Sequence, residues 1–358
     1  TNDIKYAGRI IQCPYTTPET IFLHRHLNEM VKNDVKGVCL EVSSHGLALK
    51  RVDGVHFNIG IFTNIYEEHL DFHGTMEHLM TSKEKLFQLL DSHGYAILNT
   101  DSVRFYMDVK DKIHSHVMTY GIKHTADIMA KNVQLFIDHS EFDLLVKDET
   151  YRVSVPVLGH FNVSNILAVV AALIVLDMPL SQIIEAIGQI KKVDGRMELL
   201  SHPYPFHVIV DYCQHVTSYR KVFQFARSVC KNGRIIGVFG APGKRNYSKR
   251  EEIGKLANEY LDQVILTAED IRDEDINEVC QDIQKHITKP LSVIIEDRRI
   301  AIEQAIEIAN KDDIILILGK GHEQFMTSTI GHEPYPGDKY IALNAIQKIY
   351  SQGEEDEI

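Results

Sequence analysis

Two stretches concentrate the side chains that could do chemistry. LEVSSHGLALKRVDG runs from Leu40 to Gly54, and FTNIYEEHLDFHGTMEHLMTSKEKLF runs from Phe62 to Phe87. Glu41 closes a hydrophobic run and precedes Ser43, Ser44 and His45. An acid at the carboxyl end of a parallel strand lies where open α/β sheets bind ligands, and its hard oxygens suit magnesium. A cap for the next helix is an equally weighted alternative. His69 and His73 flank Asp71, but in a chain with 19 histidines a single one is more often structural. Lys83 falls on an apolar-periodic helix face with Leu79, Leu86 and Phe87. The ordinary fate of such a lysine is to snorkel its amine to water. Burial instead favours the neutral amine. A neutral amine can take up carbon dioxide as a carbamate, an anion able to ligate a metal or a bridging water.

Glycine turns carry further candidates. GAPGKR (240–245) follows a strand and exposes Lys244 and Arg245, a plausible carboxylate site or simply a tight turn with solvated bases. It is not a phosphate loop, because the spacing is short and Arg245 stands where a Ser or Thr would reach magnesium. GKGHEQ (319–324) places Glu323 at a strand's edge, where a solvated loop acid is equally ordinary. No G-x-x-x-x-G-K-[ST] loop occurs in the 358 residues,.

The elements that must position these groups alternate between strand and helix. GVCLEV (37–42), IGIFTNI (59–65) and YAILNT (95–100) read as buried parallel strands. FLHRHLNEMVKN (22–33) and MEHLMTSKEKLFQLL (76–90) read as amphipathic helices. From Val117 to Val157 the alternation predicts antiparallel hairpins, and Ser164 to Leu176 a buried helix. After Gly195, FHVIVDY (206–212), RIIGVFG (234–240), DQVILTA (262–268), LSVIIED (291–297) and DIILILG (313–319) predict a doubly wound parallel sheet. VDGRME (193–198) marks a hinge between domains at 1–195 and 196–358. The tail GEEDEI reads as disordered.

Composition bounds the function. The length suits about two domains. The formal net charge of −12 argues against a nucleic-acid or anionic-membrane binder, though not against a local basic pocket. Cys13, Cys39, Cys213, Cys230 and Cys280 are dispersed within hydrophobic runs, as in a reduced cytoplasmic protein. No run of about 18 apolar residues predicts a membrane span. We expect a monomer.

Ten motifs in order resemble the Mur ligases, and among them the UDP-N-acetylmuramoyl-tripeptide synthetases (MurE type). They are TTPE at Thr16–Glu19, EVSSHGL at Glu41–Leu47, Arg51, HLDFHGTM at His69–Met76, SKEKLF at Ser82–Phe87, GHFNVSN at Gly159–Asn165, GRME at Gly195–Glu198, VDY at Val210–Tyr212, DRR at Asp297–Arg299 and GKGHE at Gly319–Glu323. The resemblance implies the last two of the family's three domains. These are a central ATPase domain, here N-terminally truncated, with a parallel sheet plus a small antiparallel sheet, and a C-terminal Rossmann-like doubly wound domain. It implies an ATP- and Mg2+-dependent ligase of peptidoglycan synthesis. Such a ligase joins a diamino acid, meso-diaminopimelate or L-lysine, to the D-glutamate γ-carboxyl of UDP-N-acetylmuramoyl-L-alanyl-D-glutamate through an acyl phosphate. The chain starts with Thr1 and lacks the phosphate loop, so we expect a fragment that is inactive alone.

The resemblance also implies roles. Thr16, Thr17, Ser43 and Arg51 would touch the nucleotide-sugar dipeptide. Glu41, His69 and a carbamylated Lys83 would hold magnesium. Asn162, Asn165, Arg196 and Asp297 would serve ATP or the cleft around it. Arg245, Asp270, Arg272, Gly319 and Glu323 would receive the amino acid. Three segments depart from the family pattern: YCQHVT (212–217), in which Gln214 and Thr217 replace a His and an Asp; PGKRN (242–246), which lacks two acids; and EDIR (Glu269–Arg272) in place of DNPR or DNPA. Arg272 suits a distal carboxylate, whereas Asp270 would repel it or hold a lysine ammonium. A non-catalytic Mur-like binding protein, or a cyanophycin or folylpolyglutamate synthetase, is the alternative.

Overall fold

Elements form where the apolar period is clear and a neighbouring element covers it. The computed structural model describes residues 3–244 and 247–353. Arg245 and the acidic residues after Gly353 therefore lie outside the described residues. The chain divides into two compact units. One comprises Thr1–Lys131, Leu144–Tyr151 and Ser164–Ile183; the other comprises Asn132–Asp143, Arg152–Val163 and Ile184–Ile358.

In the first half of the chain, β1 (Asp3–Tyr6) and β2 (Arg9–Gln12) form a hairpin. They are followed by α1 (Thr20–Lys32), α2 (Ser44–Ala48), β3 (Phe57–Phe62), α3 (Leu70–His73), α4 (Met76–Gln88), β4 (Leu90–Asn99) and α5 (Val103–Val109). Then come β5 (His116–Gly121), β6 (Ile128–Leu135), β7 (Ser140–Val146), β8 (Glu149–Val155), α6 (His160–Val175) and α7 (Leu180–Gly188). Strands β3 to β8 lie side by side in sequence order. Ala96, Ile97 and Leu98 of β4 are all fully buried, the mark of a strand covered on both faces. Helix α4 starts where Thr75 accepts a hydrogen bond from the His78 N–H, a side-chain N-cap. It buries Leu79, Met80, Ser82 and Phe87.

Three expectations need correction. GVCLEV (37–42) is no strand, and Val38 is half exposed. A strand is held by its ladder, and among the described residues β3 pairs only with β4, leaving this run without a partner. The alternating region does not begin as a hairpin: β5 runs parallel to both β4 and β6. Only β6, β7 and β8, joined by connections of a few residues, have the geometry of hairpins. Cys39 is exposed, whereas Cys13, Cys213 and Cys280 are buried as expected.

The second half contains β9 (Glu198–Leu199), β10 (His207–Asp211), α8 (Val216–Val229), β11 (Ile235–Phe239), α9 (Tyr247–Tyr260), β12 (Gln263–Leu266), α10 (Ile276–Gln284) and β13 (Leu291–Ile294). These are followed by α11 (Arg298–Glu307), β14 (Ile314–Leu318), a β15 (Phe325–Ser328) and β16 (Gly331–Pro334) hairpin, and α12 (Asp338–Gly353). The sheet order is β13-β12-β11-β14-β10-β9, parallel except for β9. One face packs on Tyr219, Phe223, Ile253 and Ile283, the other on Ala301, Ile302, Ala342 and Ile346. This is the predicted doubly wound layer. Among the described residues no helix is long and apolar enough to cross a membrane.

The expected hinge is in part a fastened turn. Gly195 N–H donates to Glu198 Oε2 at 2.8 Å, Met197 N–H to Asp211 Oδ2 at 2.7 Å, and Tyr212 N–H to Gly195 O at 2.9 Å. Gly195 has φ +64, and a Cβ there would lie 2.2 Å from the His322 nitrogen. Only glycine meets both demands.

Candidate functional site

In the first unit Thr17, in the segment before α1, ties that segment to the turn before α2. This threonine is fully buried. Its hydroxyl donates to Glu41 O at 2.9 Å, lies 3.1 Å from Ser43 Oγ, and accepts from Ser43 N–H at 2.8 Å. Ser43 Oγ in turn caps α2, accepting from Gly46 N–H at 3.0 Å. Arg51 donates to Thr17 O at 3.2 Å and stacks 4.2 Å over the Tyr15 ring. The structure thus brings together Thr16–Thr17, Ser43, Arg51 and the backbone of Glu41. Beside them opens a cleft of about 270 Å³ whose walls include Tyr15, Thr16, Cys39 and Glu41.

Lys83 lies on the buried side of α4, one turn after Leu79. Its Nζ is 3.9 Å from Glu68 Oε1. Burial pulls the amine below the ordinary lysine range, while Glu68 and then Glu41 push it back up. The neutral form needed for carbamate formation is thereby favoured. His69 takes a left-handed backbone, φ 56, a conformation enriched at functional sites. Its ring meets His45 edge-on at 4.8 Å. His73 lies behind, hydrogen-bonded to Ser44 Oγ at 3.0 Å. Burial holds both His45 and His73 below the ordinary imidazole range, which keeps them neutral near pH 7.

The carboxylates around Lys83 are donors of the kind magnesium takes. Glu41 and Glu68 both act on Lys83, so two hard carboxylates share its surroundings. Among the described residues no three His, Cys, Asp or Glu side chains converge so as to hold a metal ion by themselves. Magnesium ordinarily binds one or two carboxylates, with water and substrate phosphates completing the shell. Glu68 was missed in the sequence, although it lies in the densest motif, EEHLD.

In the second unit, β12, β11 and β14 are parallel neighbours, so the loops after them open on one edge of the sheet. The loop after β12 carries Asp270 and Arg272, that after β11 carries Gly243 and Lys244, and that after β14 carries Gly319 to Glu323. Gly243 N–H donates to Asp270 O at 2.8 Å, and Arg272 Nη1 to Gly243 O at 3.1 Å. Arg272 and Lys244 both have positive φ, +57 and +48. Gly319, at φ +112, would place a Cβ 2.8 Å from Glu269 Oε2. Its carbonyl accepts from Gln214 Nε2 at 2.8 Å, so the altered 212–217 segment is joined to the loop after β14. Glu323 Oε1 accepts from Tyr212 O–H at 3.0 Å, and Arg196 stacks 4.6 Å over the Tyr212 ring.

Two acids have different work from that expected. Asp297 caps α11, accepting from the Arg299 and Ile300 N–H groups. Asp270 does not stand open for a substrate ammonium, because Oδ1 already accepts from Lys320 Nζ and Thr327 N–H, both at 2.8 Å. Lys320 was a missed site residue, hidden in sequence by its resemblance to a flexible glycine-flanked lysine. Asn162 Nδ2 donates to Leu158 O at 3.0 Å within its own helix start. Asn165 lies on the next turn of α6.

Fold and site together define an α/β protein with glycine-containing loops at the carboxyl edge of parallel strands and a half-buried lysine among acids and imidazoles. The chain belongs to the Mur ligase family: residues 2–173 match the Mur ligase middle domain and residues 195–321 the Mur ligase, glutamate ligase domain. It is 36% identical over 353 residues to the UDP-N-acetylmuramoyl-L-alanyl-D-glutamate–2,6-diaminopimelate ligase of Halalkalibacterium halodurans, covering 97% of this chain and 71% of that one. It is 37% identical over 351 residues to the enzyme of the same name from Caldanaerobacter subterraneus subsp. tengcongensis, covering 98% and 71%. A solved structure of a UDP-N-acetylmuramoyl-L-alanyl-D-glutamate–2,6-diaminopimelate ligase superposes with a TM-score of 0.67 at 27% identity, covering 96% of this chain and 71% of that chain.

Proposed function

We propose that this protein is the part of a tripeptide-forming Mur ligase that activates the dipeptide and receives a diamino acid, 2,6-diaminopimelate in preference to lysine. The observation that carries the reading is Lys83, an amine lowered by burial between Glu68 and Glu41 within a chain whose relatives carry that name over nearly its full length.

In this reading the D-glutamate γ-carboxylate attacks the γ-phosphorus of ATP and ADP leaves. The amine then attacks the acyl phosphate, and inorganic phosphate departs with the amide formed. Thr16, Ser43 and Arg51 hold the dipeptide end of the nucleotide sugar, with Thr17 fixing their loops from beneath. Glu41, His69 and carbamylated Lys83 are the groups that would hold magnesium, which supplies charge neutralisation to the transferring phosphoryl oxygens. Arg196, Asn162 and Asn165 belong to the nucleotide side. Arg245, Arg272, Gly319 and Glu323 belong to the amino-acid side. The phosphates also need backbone N–H donors and a lysine from a phosphate loop, which the 358 residues do not contain.

The test is tripeptide formation by the complete gene product, given both amino acids at equal concentration and read by mass spectrometry. Predominant 2,6-diaminopimelate product is expected. Lysine product alone would overturn the choice of amino acid, and no product the activity.

A further inference from the structure

Lys320 is fully buried, with its Nζ 2.8 Å from Asp270 Oδ1, 2.5 Å from Glu323 Oε2 and 4.7 Å from the Phe325 ring centroid. A buried ammonium is costly unless paired, and here it is paired twice, across the loops that follow β12 and β14. Neither acid is therefore a lone negative charge. Asp270, Glu323, Lys320 and Arg272 carry formal charges of −1, −1, +1 and +1, so the group is neutral with both signs present.

We propose that Lys320 sets which diamino acid the pocket accepts, by cancelling one of its two carboxylates. The proposal rests on the reading that these loops receive the incoming amino acid. The distal end of 2,6-diaminopimelate carries one ammonium and one carboxylate, and a neutral pocket with both signs can pair each. The distal end of lysine is an ammonium alone, which leaves Arg272 facing a cation. Without the Lys320 charge these loops carry one more net negative charge, which favours the cationic ligand. Like-charge contacts that exclude one ligand are a general route to specificity. Lys320 is a positioning residue here, acting through Asp270 and Glu323.

The experiment is calorimetric titration of meso-2,6-diaminopimelate and of L-lysine into the 358-residue chain, read as the ratio of their affinities. Lys320→Gln is expected to move that ratio toward lysine by about tenfold or more. Asp270→Asn is expected to move it the other way, and the double variant Lys320→Gln/Asp270→Asn to return it near the starting value. A merely structural lysine would weaken both ligands equally, and that result overturns the proposal. Should Lys320→Gln fail to fold, Asp270→Asn decides alone, and an unchanged ratio overturns the proposal. If the unaltered chain binds neither amino acid, the assignment of the pocket itself is wrong and the proposal goes with it. That outcome is distinct from binding whose ratio does not respond to the pocket's charge.

Discussion

Lys83 Nζ and Glu68 Oε1 stand 3.9 Å apart on a side of α4 that also buries Leu79 and Phe87. The pair explains why this lysine is neither a free surface cation nor an inert buried amine. Burial lowers its proton affinity and the carboxylates of Glu68 and Glu41 partly restore it.

The first prediction is a carbamate at this position. In the 358-residue chain equilibrated with 13C-bicarbonate, a lysine carbamate resonance should appear by NMR. It should grow as pH rises toward the lowered amine pKa, because only the neutral amine reacts. Lys83→Arg should abolish the signal. In the complete gene product Lys83→Ala should reduce kcat by about 10²-fold or more, with partial recovery on adding short carboxylic acids. Unchanged signal in Lys83→Arg would place the modification elsewhere.

A second prediction concerns stability. Arg298 is buried and forms a two-pronged pair with Asp338, both contacts at 2.8 Å, while also donating to Ala268 O and Leu318 O. It joins the starts of α11 and α12 to the ends of β12 and β14. Asp338→Ala leaves the guanidinium buried without its counter-charge, so urea unfolding should show a loss of about 3–5 kcal/mol. A loss below about 1 kcal/mol would mean that water reaches the guanidinium.

Gly195→Ala is the third. Its positive φ and the 2.2 Å approach to His322 N leave no room for a methyl group, so the substitution should cost more than about 1 kcal/mol. An unchanged unfolding midpoint would show that the turn relaxes freely.

The sequence displayed much of this architecture. The β-branched runs at β10, β11, β12 and β14 are almost wholly buried, and the edge run at β13 shares their composition and length, so all five parallel strands of the second sheet were legible. The apolar period likewise put Lys83 on α4, whereas Glu41, expected to close a strand, lies in the loop before α2. What stayed hidden depends on partners distant in the chain. GVCLEV has strand composition without a ladder. Glu68 matters because α4 turns Lys83 toward it, and Lys320 because Asp270, fifty residues earlier, lies beside it. Asp297 looked like a ligand residue and is a helix cap, a role that aspartate fills equally well.

The fourth prediction is a pH dependence. Glu269 is buried, with Lys249 Nζ 4.0 Å away and itself 5.2 Å from the Tyr219 ring centroid. Burial raises the Glu269 carboxyl above its ordinary 4.5, against the opposing pull of Lys249. A raised folded-state pKa means that the fold holds more protons than the unfolded chain above 4.5. This contribution is therefore fully present below 4.5 and is lost as pH rises through the folded-state value. Glu269→Gln should remove that part of the slope in unfolding free energy against pH. An identical slope in the variant would assign it to other groups.

The central claim is that these residues serve amide formation through an acyl phosphate. The most direct measurement uses UDP-N-acetylmuramoyl-L-alanyl-D-glutamate carrying 18O in its γ-carboxylate, with ATP, magnesium and 2,6-diaminopimelate. The complete gene product should release inorganic phosphate bearing one 18O for each tripeptide formed, while the 358-residue chain alone should give no turnover. Tripeptide accompanied by unlabelled phosphate, or ATP hydrolysis without tripeptide, would contradict the account.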